Sequence, residues 1–302
     1  MNNKEIISDQ KEIRIDLYLS NILSSHSRSY INDLIAKGDI HVNGTTTKPS
    51  YKIKIGDRIS INIPEPILTE MAPESISLDI VYEDEYLIVV NKPQGMVVHP
   101  APGHHSGTLA HALLHHCKGS LSDINGVIRP GIIHRIDKDT SGLIIAVKDN
   151  DTHRIMAEAI ASHKIERIYR TCVYGVLDTD KGIIDAPISR SPSDRKKMAV
   201  VSGGKHAVSR FEVIKRYRKA SDLSVRLETG RTHQIRVHMH YIGYPVIGDP
   251  LYAHKRKAYN LSGQALHSSS LSFVHPHSGE TINLSCALPN YYLELLKELD
   301  AE

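Results

Sequence analysis

The sequence has no tryptophan and only two phenylalanines, so base stacking would depend on its 14 tyrosines and on histidine and arginine side chains. The three cysteines, Cys117, Cys172 and Cys286, are scattered and form no CxxC pair, which favours free thiols in a reducing compartment over disulfides. No apolar run approaches the roughly 18 residues that a membrane span requires, and the first residues lack the pattern of a secretion signal. We therefore expect a cytoplasmic protein.

A strong charge of either sign is also absent. The 37 Lys and Arg against 34 Asp and Glu give a net charge of +3, so a polyanionic partner must be bound by local basic patches. The 302 residues exceed the usual size of one domain, about 100 to 200 residues, and two domains are the default expectation.

A proline-rich segment, PEPILTEMAPESIS, lies between Ile63 and Leu78 and shows no clean periodicity. Such a composition is typical of a linker. We therefore predict a small domain at 1–63, a linker at 64–77 and a larger domain at 78–302.

Helix and strand signals alternate in the small domain. SRSYINDLIAKG predicts an amphipathic helix with Ser27 or Ser29 as its N-cap and Gly38 as its end. DIHVNG predicts a strand that ends in a turn at Asn43–Gly44, and IKIGDRISINI alternates apolar residues around a turn at Gly56. We expect a helix pair on a small sheet.

The small domain is also basic, which by itself fits a solvated face. Its cations include Arg14, Arg28, Lys37, Lys48, Lys52, Lys54 and Arg58. The stretch 14–63, however, resembles the S-four-like RNA-binding module, named for a protein of the small ribosomal subunit. The resemblance implies that the helix bearing Arg28 contacts RNA phosphates, which supply affinity and orientation more than sequence selectivity.

The larger domain mixes strands and helices. IVYEDEYLIVVNKP predicts two strands around a turn at 83–85, and RIYRTCVYGV and SDLSVRLET predict two more. Ser106 can cap one helix, and Asp151 can cap another with Ile155 facing inward. THQIRVHMHYIG predicts a third helix. We expect an α+β fold with a largely antiparallel sheet.

The segment HRIDKDTSGL offers a carboxylate among basic residues. The apolar runs 131–136 and 143–147 predict strands, so DKDTSG would be a connecting loop that presents side chains to a cleft. If the first strand continues through Asp137, its side chain lies on the same side as Arg135. Nearby cations favour an ionised, nucleophilic carboxylate. An ordinary surface loop and a role for Asp139 instead remain alternatives.

A second cluster, GRTHQIR, opens the third helix. Thr232 can cap this helix, and its free backbone amides together with Arg231, His233 and Arg236 would attract a phosphate or a carboxylate. The alternative is a capped helix with an exposed basic face.

Four long motifs now follow the S-four-like stretch in a fixed order: NKPQGMVVHPAPGH, HRIDKDTSGL, RIYRTCVYG and LETGRTHQIRVHMHYIGYPVIGDPLY. In this order they resemble the RNA pseudouridine synthases of the RluA class, and most of all its D-type members, which act on large-subunit ribosomal RNA. One departure is Ile136, where leucine is commoner. The resemblance implies the pseudouridine-synthase fold.

The resemblance also implies catalytic residues. The catalytic aspartate falls on Asp137 and not on Asp139, and the active-site tyrosine, expected against the target uracil, falls on Tyr169. An arginine of GRTHQIR should form an ion pair with the catalytic carboxylate. We place it at Arg236, with Arg231 as the second choice.

Further residues are implied to bind the substrate. Arg135 matches the residue that fills the space left in the RNA helix by the extruded base. Leu266 resembles the apolar wall of the family's site. Independently of the resemblance, Arg190, Arg195, Lys196 and Lys197 form the densest basic cluster, with Gly203 and Gly204 suggesting a hairpin tip. A solvated loop is the plain interpretation, and a grip on the RNA backbone is the functional one.

The implied reaction isomerises uridine to pseudouridine. The nitrogen-to-sugar bond breaks, the uracil turns in the closed pocket, and carbon 5 joins the sugar, so neither a metal nor a redox cofactor is needed. The expected partner is RNA, most of all large-subunit ribosomal RNA, with transfer RNA or another ribosomal site as alternatives. A histidine-based metal enzyme and a non-catalytic assembly factor are the competing interpretations.

Overall fold

The computed structural model of the chain describes residues 2–23, 28–63, 71–101, 103–124, 130–194, 196–253, 256 and 259–302. The chain divides into two compact units, Met1–Thr69 and Glu70–Glu302. The predicted domain limits at 63 and 78 stay a prediction, and the start of the predicted linker lies outside the described residues.

The first unit is a helix pair with a small antiparallel sheet. Its elements are β1 (Asn2–Ile7), α1 (Ile15–Ile22), α2 (Arg28–Lys37), β2 (Ile40–Val42), β3 (Thr45–Thr46) and β4 (Arg58–Ile63). The sheet has the strand order β1-β4-β2-β3. Ile31, Leu34 and Ile35 of α2 are buried in the core of this unit, as an amphipathic helix requires.

The turn after β2 follows the sequence pattern, whereas a predicted strand and a predicted helix cap in this unit do not. Asn43 and Gly44 both have positive φ angles, 52° and 81°, in the tight turn that joins β2 to β3. The residues before Gly56 form no strand, and Ile55 is exposed, because the chain there makes only an isolated bridge at Lys52. Ser29 lies inside α2 and is not its N-cap. Ser27 lies outside the described residues.

The second unit is built on a nine-stranded sheet with the order β5-β6-β7-β14-β8-β13-β12-β9, and β15 pairs with β14. Its elements are β5 (Ile80–Glu83), β6 (Leu87–Lys92), α3 (Leu109–His116), β7 (Ser141–Val147), α4 (Asn150–Ala161), β8 (Glu166–Tyr174), β9 (Lys181–Asp185), β10 (Ile188–Arg190), β11 (Met198–Val200), β12 (Val208–Arg216), β13 (Ala220–Leu227), α5 (Gln234–Tyr241), β14 (Leu266–Val274), β15 (Thr281–Ser285) and α6 (Asn290–Ala301). β10 and β11 form a separate hairpin.

The expected α+β fold with a largely antiparallel sheet is confirmed. Among the pairs within this sheet, β7 and β14 alone run parallel, and they meet at Ser141–His267 and Gly142–Ser268. Gly142 has a φ angle of 107°, and a Cβ there would lie 2.2 Å from the carbonyl oxygen of Ser268. Only glycine permits this close approach, which brings the end of the DKDTSG loop against the start of β14.

Two helix caps differ from the prediction. The N-cap of α3 is Thr108 instead of Ser106. The N-cap of α4 is Asp149 instead of Asp151, because the carboxylate of Asp149 accepts hydrogen bonds from the backbone amides of residues 151 and 152. With this start, Thr152, His153 and Met156 form the buried face of α4, and Ile155, predicted to face inward, is exposed.

None of the helices in the described part of the chain combines the length and the apolar character needed to cross a bilayer.

Candidate active site

Asp137 lies on an irregular loop and not on a strand. The prediction of a strand over 131–136 is wrong, since residues 133–137 are irregular and Ile132 makes an isolated bridge to Ala146. The period-two argument that placed Asp137 and Arg135 on one side therefore does not apply. The backbone amide of Thr140 donates to the carbonyl oxygen of Asp137 at 3.1 Å, which closes a tight turn.

This loop is held by side chains from distant segments. The buried Lys92 ammonium donates to the carbonyl oxygens of Pro93, Met96 and Lys138 at 2.8, 2.8 and 3.0 Å. Burial lowers the pKa of Lys92 to about 7, whereas Asp139 and Asp137 act in the opposite direction. The loop is therefore fixed through its backbone, which leaves the Asp137 carboxylate free for other contacts.

The Asp137 carboxylate is bound by an arginine from α5. The Nη1 atom of Arg236 donates to Oδ2 of Asp137 at 2.8 Å. The other carboxylate oxygen, Oδ1, accepts no hydrogen bond within the described residues, and Nε2 of His233 lies 4.0 Å from it. The Asp137 side chain is 25% exposed, so one oxygen is anchored and one remains open to a ligand.

A second carboxylate holds the other side of Arg236. The Nε and Nη2 atoms of Arg236 donate to the two oxygens of Asp249 at 2.6 and 2.9 Å, and the Asp249 side chain is fully buried. Burial disfavours the charged guanidinium, but hydrogen bonds and charge from Asp249 and Asp137 raise the pKa of Arg236 overall. The backbone amides of Leu251 and Tyr252 also donate to Asp249. The arginine is thus locked in a single orientation.

The GRTHQIR turn is built differently from the prediction. The N-cap of α5 is His233, which has a left-handed φ of 57°, and Thr232 does not cap the helix. The Thr232 hydroxyl instead accepts a hydrogen bond from Nη2 of Arg135 at 2.9 Å. Gln234 braces the turn, since its side chain accepts from the Arg231 amide and donates to the Val208 carbonyl.

His233 is oriented by the neighbouring tyrosine. Its Nδ1 atom lies 3.0 Å from the Tyr252 hydroxyl, and burial lowers the pKa of His233, although Asp137 opposes this effect. The imidazole beside the open oxygen of Asp137 is therefore neutral at neutral pH.

These side chains surround a pocket of about 440 Å³, called the Asp137 pocket here. Its lining includes Asp137, Arg236, Tyr169, Leu266, Arg135, Arg231, His134, His233, Arg167 and Gly230. Tyr169 of β8 and Leu266 of β14 are both buried. Burial raises the pKa of Tyr169, so its phenol stays protonated at neutral pH. The pocket thus joins an aromatic and an apolar surface to an ion-paired carboxylate.

The two remaining arginines predicted from the motifs have other contacts. Arg231 donates from Nε to the carbonyl oxygen of His206 at 2.9 Å and forms no hydrogen bond or ion pair with Asp137. Arg135 is exposed at the rim of the pocket, where Thr232 holds it.

Of the predicted basic cluster, Arg190 ends β10, and Lys196 and Lys197 lie on the segment between β10 and β11, which is called the basic loop here. Lys196 is exposed and Lys197 is half-buried, whereas Arg195 lies outside the described residues. Gly203 and Gly204 belong to the next turn, in which the Gly204 amide donates to the Val201 carbonyl.

In the first unit, Arg28 is paired and not free. Its Nε and Nη2 atoms donate to Oδ2 of the buried Asp16 at 2.9 and 2.7 Å, and Arg14 donates to the same carboxylate. The Arg28 side chain remains 47% exposed, so part of the guanidinium surface is still accessible to a ligand.

Three residues of the site have no role predicted from the sequence. Asp249 stands inside the GDPLY part of the fourth motif, and Gln234 stands inside GRTHQIR. Arg167 precedes Tyr169 by two positions in the third motif. The signal that could have found all three is their presence in the motifs.

The histidine-based metal site is suggested by the closely spaced pairs His238 with His240 and His275 with His277. At least one member of each pair has a structural partner. His238 bonds to Ser209 and to the Ala186 carbonyl, and Nε2 of His275 lies 2.8 Å from Asp84. Within the residues that the structure describes, no group of three or more His, Cys, Asp or Glu is arranged to hold a metal ion.

Sequence comparison gives the family of this chain. The profile of RNA pseudouridylate synthase matches residues 86–241, and that of the S4 domain matches residues 13–59. The chain belongs to the RNA pseudouridine synthase family, is therefore an isomerase, and carries an S4 RNA-binding domain.

Two curated relatives match nearly the whole chain. The uncharacterized RNA pseudouridine synthase YlyB of Bacillus subtilis is 45% identical over 99% of both chains. The ribosomal large subunit pseudouridine synthase D of Zymomonas mobilis is 44% identical over 95% of this chain and 93% of its own. Among solved structures, the human RNA pseudouridylate synthase domain containing 4 covers 73% of this chain and 92% of its own, with a TM-score of 0.57 and 25% identity.

Proposed function

We propose that this pseudouridine synthase modifies large-subunit ribosomal RNA, with Asp137 as its catalytic carboxylate. Arg236 positions that carboxylate, Tyr169 lies against the target uracil, and Leu266 supplies the apolar wall. Arg135 fills the gap that the extruded base leaves in the RNA helix, and Arg231 lines the same binding site.

One observation carries the assignment of Asp137. Its Oδ2 is anchored 2.8 Å from Arg236 while its Oδ1 faces a pocket that also contains Tyr169 and Leu266. A pocket of about 440 Å³ is within the size range of small-ligand sites, so a single extruded nucleotide can enter it.

The open oxygen supports three chemical routes. It can attack the anomeric carbon of the sugar, attack the uracil ring, or remove a proton from the sugar. In each route the bond from N1 to the sugar breaks, the uracil turns, and C5 bonds to the sugar. The proton on C5 is then released, and N1 gains a proton. Each route needs an ionised carboxylate in a fixed position, and the ion pair with Arg236 supports both requirements.

The proposed RNA partner rests on two kinds of support. A relative of 44% identity over most of its length is a ribosomal large subunit pseudouridine synthase. The exposed part of Arg28 and the basic loop with Arg195, Lys196 and Lys197 offer phosphate contacts, which would dock the RNA without selecting its sequence. Free thiols and a ribosomal substrate both fit the cytoplasm as the place of the reaction.

The test is to map every pseudouridine in ribosomal and transfer RNA in a strain with and without the gene. We expect one or more large-subunit sites to disappear in the deletion strain and to return with the wild-type gene but not with Asp137→Ala. Loss of a transfer RNA site or of a small-subunit site instead would contradict the proposed substrate. Rescue of growth or subunit assembly by both genes would favour a separate function as a binding factor.

A further inference from the structure

Arg167 is a buried cation in the wall of the Asp137 pocket that has no partner among the residues the structure describes. The residue is 4% exposed, and its Nε atom is buried without a hydrogen bond. Its guanidinium forms no hydrogen bond or ion pair with any other residue in the described ranges. By contrast, Arg236 in the same pocket is bound by two carboxylates.

Burial of an unpaired charge is costly, so buried cations normally pair with an anion. The described neighbours of Arg167 do not provide one. Burial, with a contribution from the charge of Arg167, lowers the pKa of His134 to about 3, so its imidazole is neutral at neutral pH. Tyr169 keeps its proton, and the carboxylate that lines the same pocket, Asp137, is bound by Arg236. The geometry points to an anion supplied by the substrate.

The position of Arg167 on β8 identifies which part of an RNA substrate that anion is. Residues two apart on a strand project from the same face about 6 to 7 Å from one another, so Arg167 and Tyr169 are neighbours along the pocket wall. Uracil and ribose are uncharged, and each nucleotide of RNA carries its full negative charge on the phosphate. A base placed against Tyr169 has its own phosphates one ribose away.

Gly230 leaves the space that the guanidinium occupies. A Cβ atom at position 230 would lie 2.8 Å from Nη1 of Arg167. The atom it meets is the end of a flexible side chain, so a methyl group at 230 would displace the guanidinium without disturbing the backbone. This contact provides a way to move Arg167 without changing its charge.

We propose that Arg167 binds a phosphate group of the RNA backbone next to the target uridine, and so fixes the nucleotide whose base lies against Tyr169. The proposal rests on the proposed position of the base. A planar guanidinium can donate two parallel hydrogen bonds to a phosphate, and these are stronger than bonds between neutral groups. The contact replaces the solvation that Arg167 has lost.

The first test compares Arg167→Met, Arg167→Lys and a control, Arg226→Met. Arg226 is exposed, pairs with Glu166, and lies directly across from Ile168, so it projects from the opposite face of the sheet. The assay uses ribosomal RNA transcribed with uridine tritiated at carbon 5, because that hydrogen is released when carbon 5 joins the sugar. Single-turnover rates at increasing RNA and salt concentrations give the half-saturating RNA concentration and its salt dependence.

We expect Arg167→Met to raise the half-saturating RNA concentration by about ten- to a hundredfold, the scale for hydrogen bonds to a charged group. The slope of log affinity against log salt should fall by about 0.7, the value for one phosphate of a single strand. Arg167→Lys should keep the slope, and Arg226→Met should keep both values. Unchanged affinity in Arg167→Met, or weaker binding with an unchanged slope, would overturn the phosphate assignment.

The second test uses Gly230→Ala alone and with Arg167→Met. The single variant should weaken RNA binding, whereas in the Arg167→Met background it should add nothing, because the guanidinium that the methyl group displaces is gone. Thermal unfolding of each variant checks that the fold is retained, and a glycine effect of equal size in both backgrounds would contradict the proposal.

Failure of the proposed substrate is a separate outcome. If the wild-type enzyme releases no tritium from large-subunit RNA, the substrate proposal fails, and the Arg167 comparison is carried out on the transfer or small-subunit RNA from which it does release tritium.

Discussion

Two arginines occupy opposite electrostatic situations in one pocket. Arg236 donates hydrogen bonds to Asp137 and Asp249 and is held before any substrate enters. Arg167 is as deeply buried, yet its Nε atom has no partner, and no carboxylate in the described residues contacts its guanidinium. The first arrangement fixes a reactive group in advance, and the second leaves binding capacity for the substrate.

The two arginines illustrate two free-energy costs of building an active site: the alignment of a reactive group and the desolvation of a charge. Aligning the carboxylate of Asp137 is done during folding, when Asp249 and the backbone amides of residues 251 and 252 orient Arg236. Arg167 also loses its hydration when the protein folds, but no hydrogen bond or ion pair within the described protein compensates for that loss. RNA binding is the step at which that compensation becomes available.

The largest expected effect is on Asp137, the catalytic partner of Arg236. Asp137→Asn keeps the volume but removes the charge, so turnover should fall by about four orders of magnitude, the scale for loss of a central catalytic group. The fold should persist because Arg236 keeps its bidentate contact with Asp249.

Asp139→Asn is the matched control in the same loop. It should keep most of its turnover, and tritium release from RNA with thermal unfolding measures both variants. Full activity in Asp137→Asn, or equal loss in Asp139→Asn, would contradict the assignment of the catalytic carboxylate.

Removing the two arginines should change stability in different ways. Arg236→Met leaves Asp249 as an uncompensated buried charge, so the free energy of unfolding should fall by about 3–5 kcal/mol. Arg167→Met leaves no anion unpaired within the described protein, so its free energy of unfolding should stay the same or rise. Denaturant titration of both variants tests this contrast, which fails if they lose equal stability.

Sequence motifs were sufficient to predict the chemistry of the pocket but not its supports. Asp137, Tyr169, Arg236 and Leu266 come from separate segments of the sequence and all line one pocket. The partner of Arg236 on its other side, Asp249, could not be inferred from local periodicity, because the bend after α5 that returns the chain to the arginine has no pattern of its own. The burial of Arg167 likewise depends on how β8 packs against the turn at Gly230.

Local patterns failed where packing opposes them. The apolar run 131–136 resembles a buried strand, yet Ile132 forms an isolated bridge to Ala146 and residues 133–137 are irregular. Thr232 has a good capping side chain, but its hydroxyl binds Arg135, and His233 takes the N-cap position with a left-handed φ. The large sheet and its antiparallel character followed from alternation over longer stretches, where a single deviation matters less.

The aromatic neighbour of Arg167 should contribute through its ring. Tyr169→Leu removes a stacking surface worth about 1–3 kcal/mol per base, so RNA affinity should fall by about 5- to 150-fold. Tyr169→Phe keeps the ring and should bind RNA nearly as well as the wild type. Half-saturating RNA concentrations in the single-turnover assay measure both, and equal loss in the two variants would show that stacking is not the contribution.

His134 reports the unpaired charge of Arg167 directly. Its Nε2 atom accepts a hydrogen bond from the Ile145 amide, and burial, assisted by Arg167, lowers the pKa of His134 to about 3. Unfolded histidine titrates near about 6.5, so the stabilisation from the neutral imidazole is complete above that pH and is lost as the pH falls towards 3.

In Arg167→Met the pKa of His134 should rise but stay below the unfolded value, because burial is the larger cause. The smaller difference between the folded and the unfolded pKa of His134 narrows the pH range over which the free energy of unfolding falls. Imidazole chemical shifts recorded against pH measure this pKa, with Arg226→Met as the control. A His134 that titrates identically with and without Arg167 would contradict the proximity of the two charges.

The smallest effect is expected on the basic loop, where Lys196 is exposed, Lys197 is half-buried, and neither lines the Asp137 pocket. Replacing Arg195, Lys196 and Lys197 with glutamine should flatten the salt dependence of RNA binding by about 0.7 to 0.9 for each phosphate that the loop no longer neutralises. Exposed charges contribute about 1 kcal/mol or less each, so affinity should fall less per charge than in Arg167→Met. The maximal single-turnover rate should not change, because these residues hold the RNA outside the pocket. An unchanged slope would mean that the basic loop is merely solvated, and would leave Arg167 as the stronger candidate for binding a phosphate.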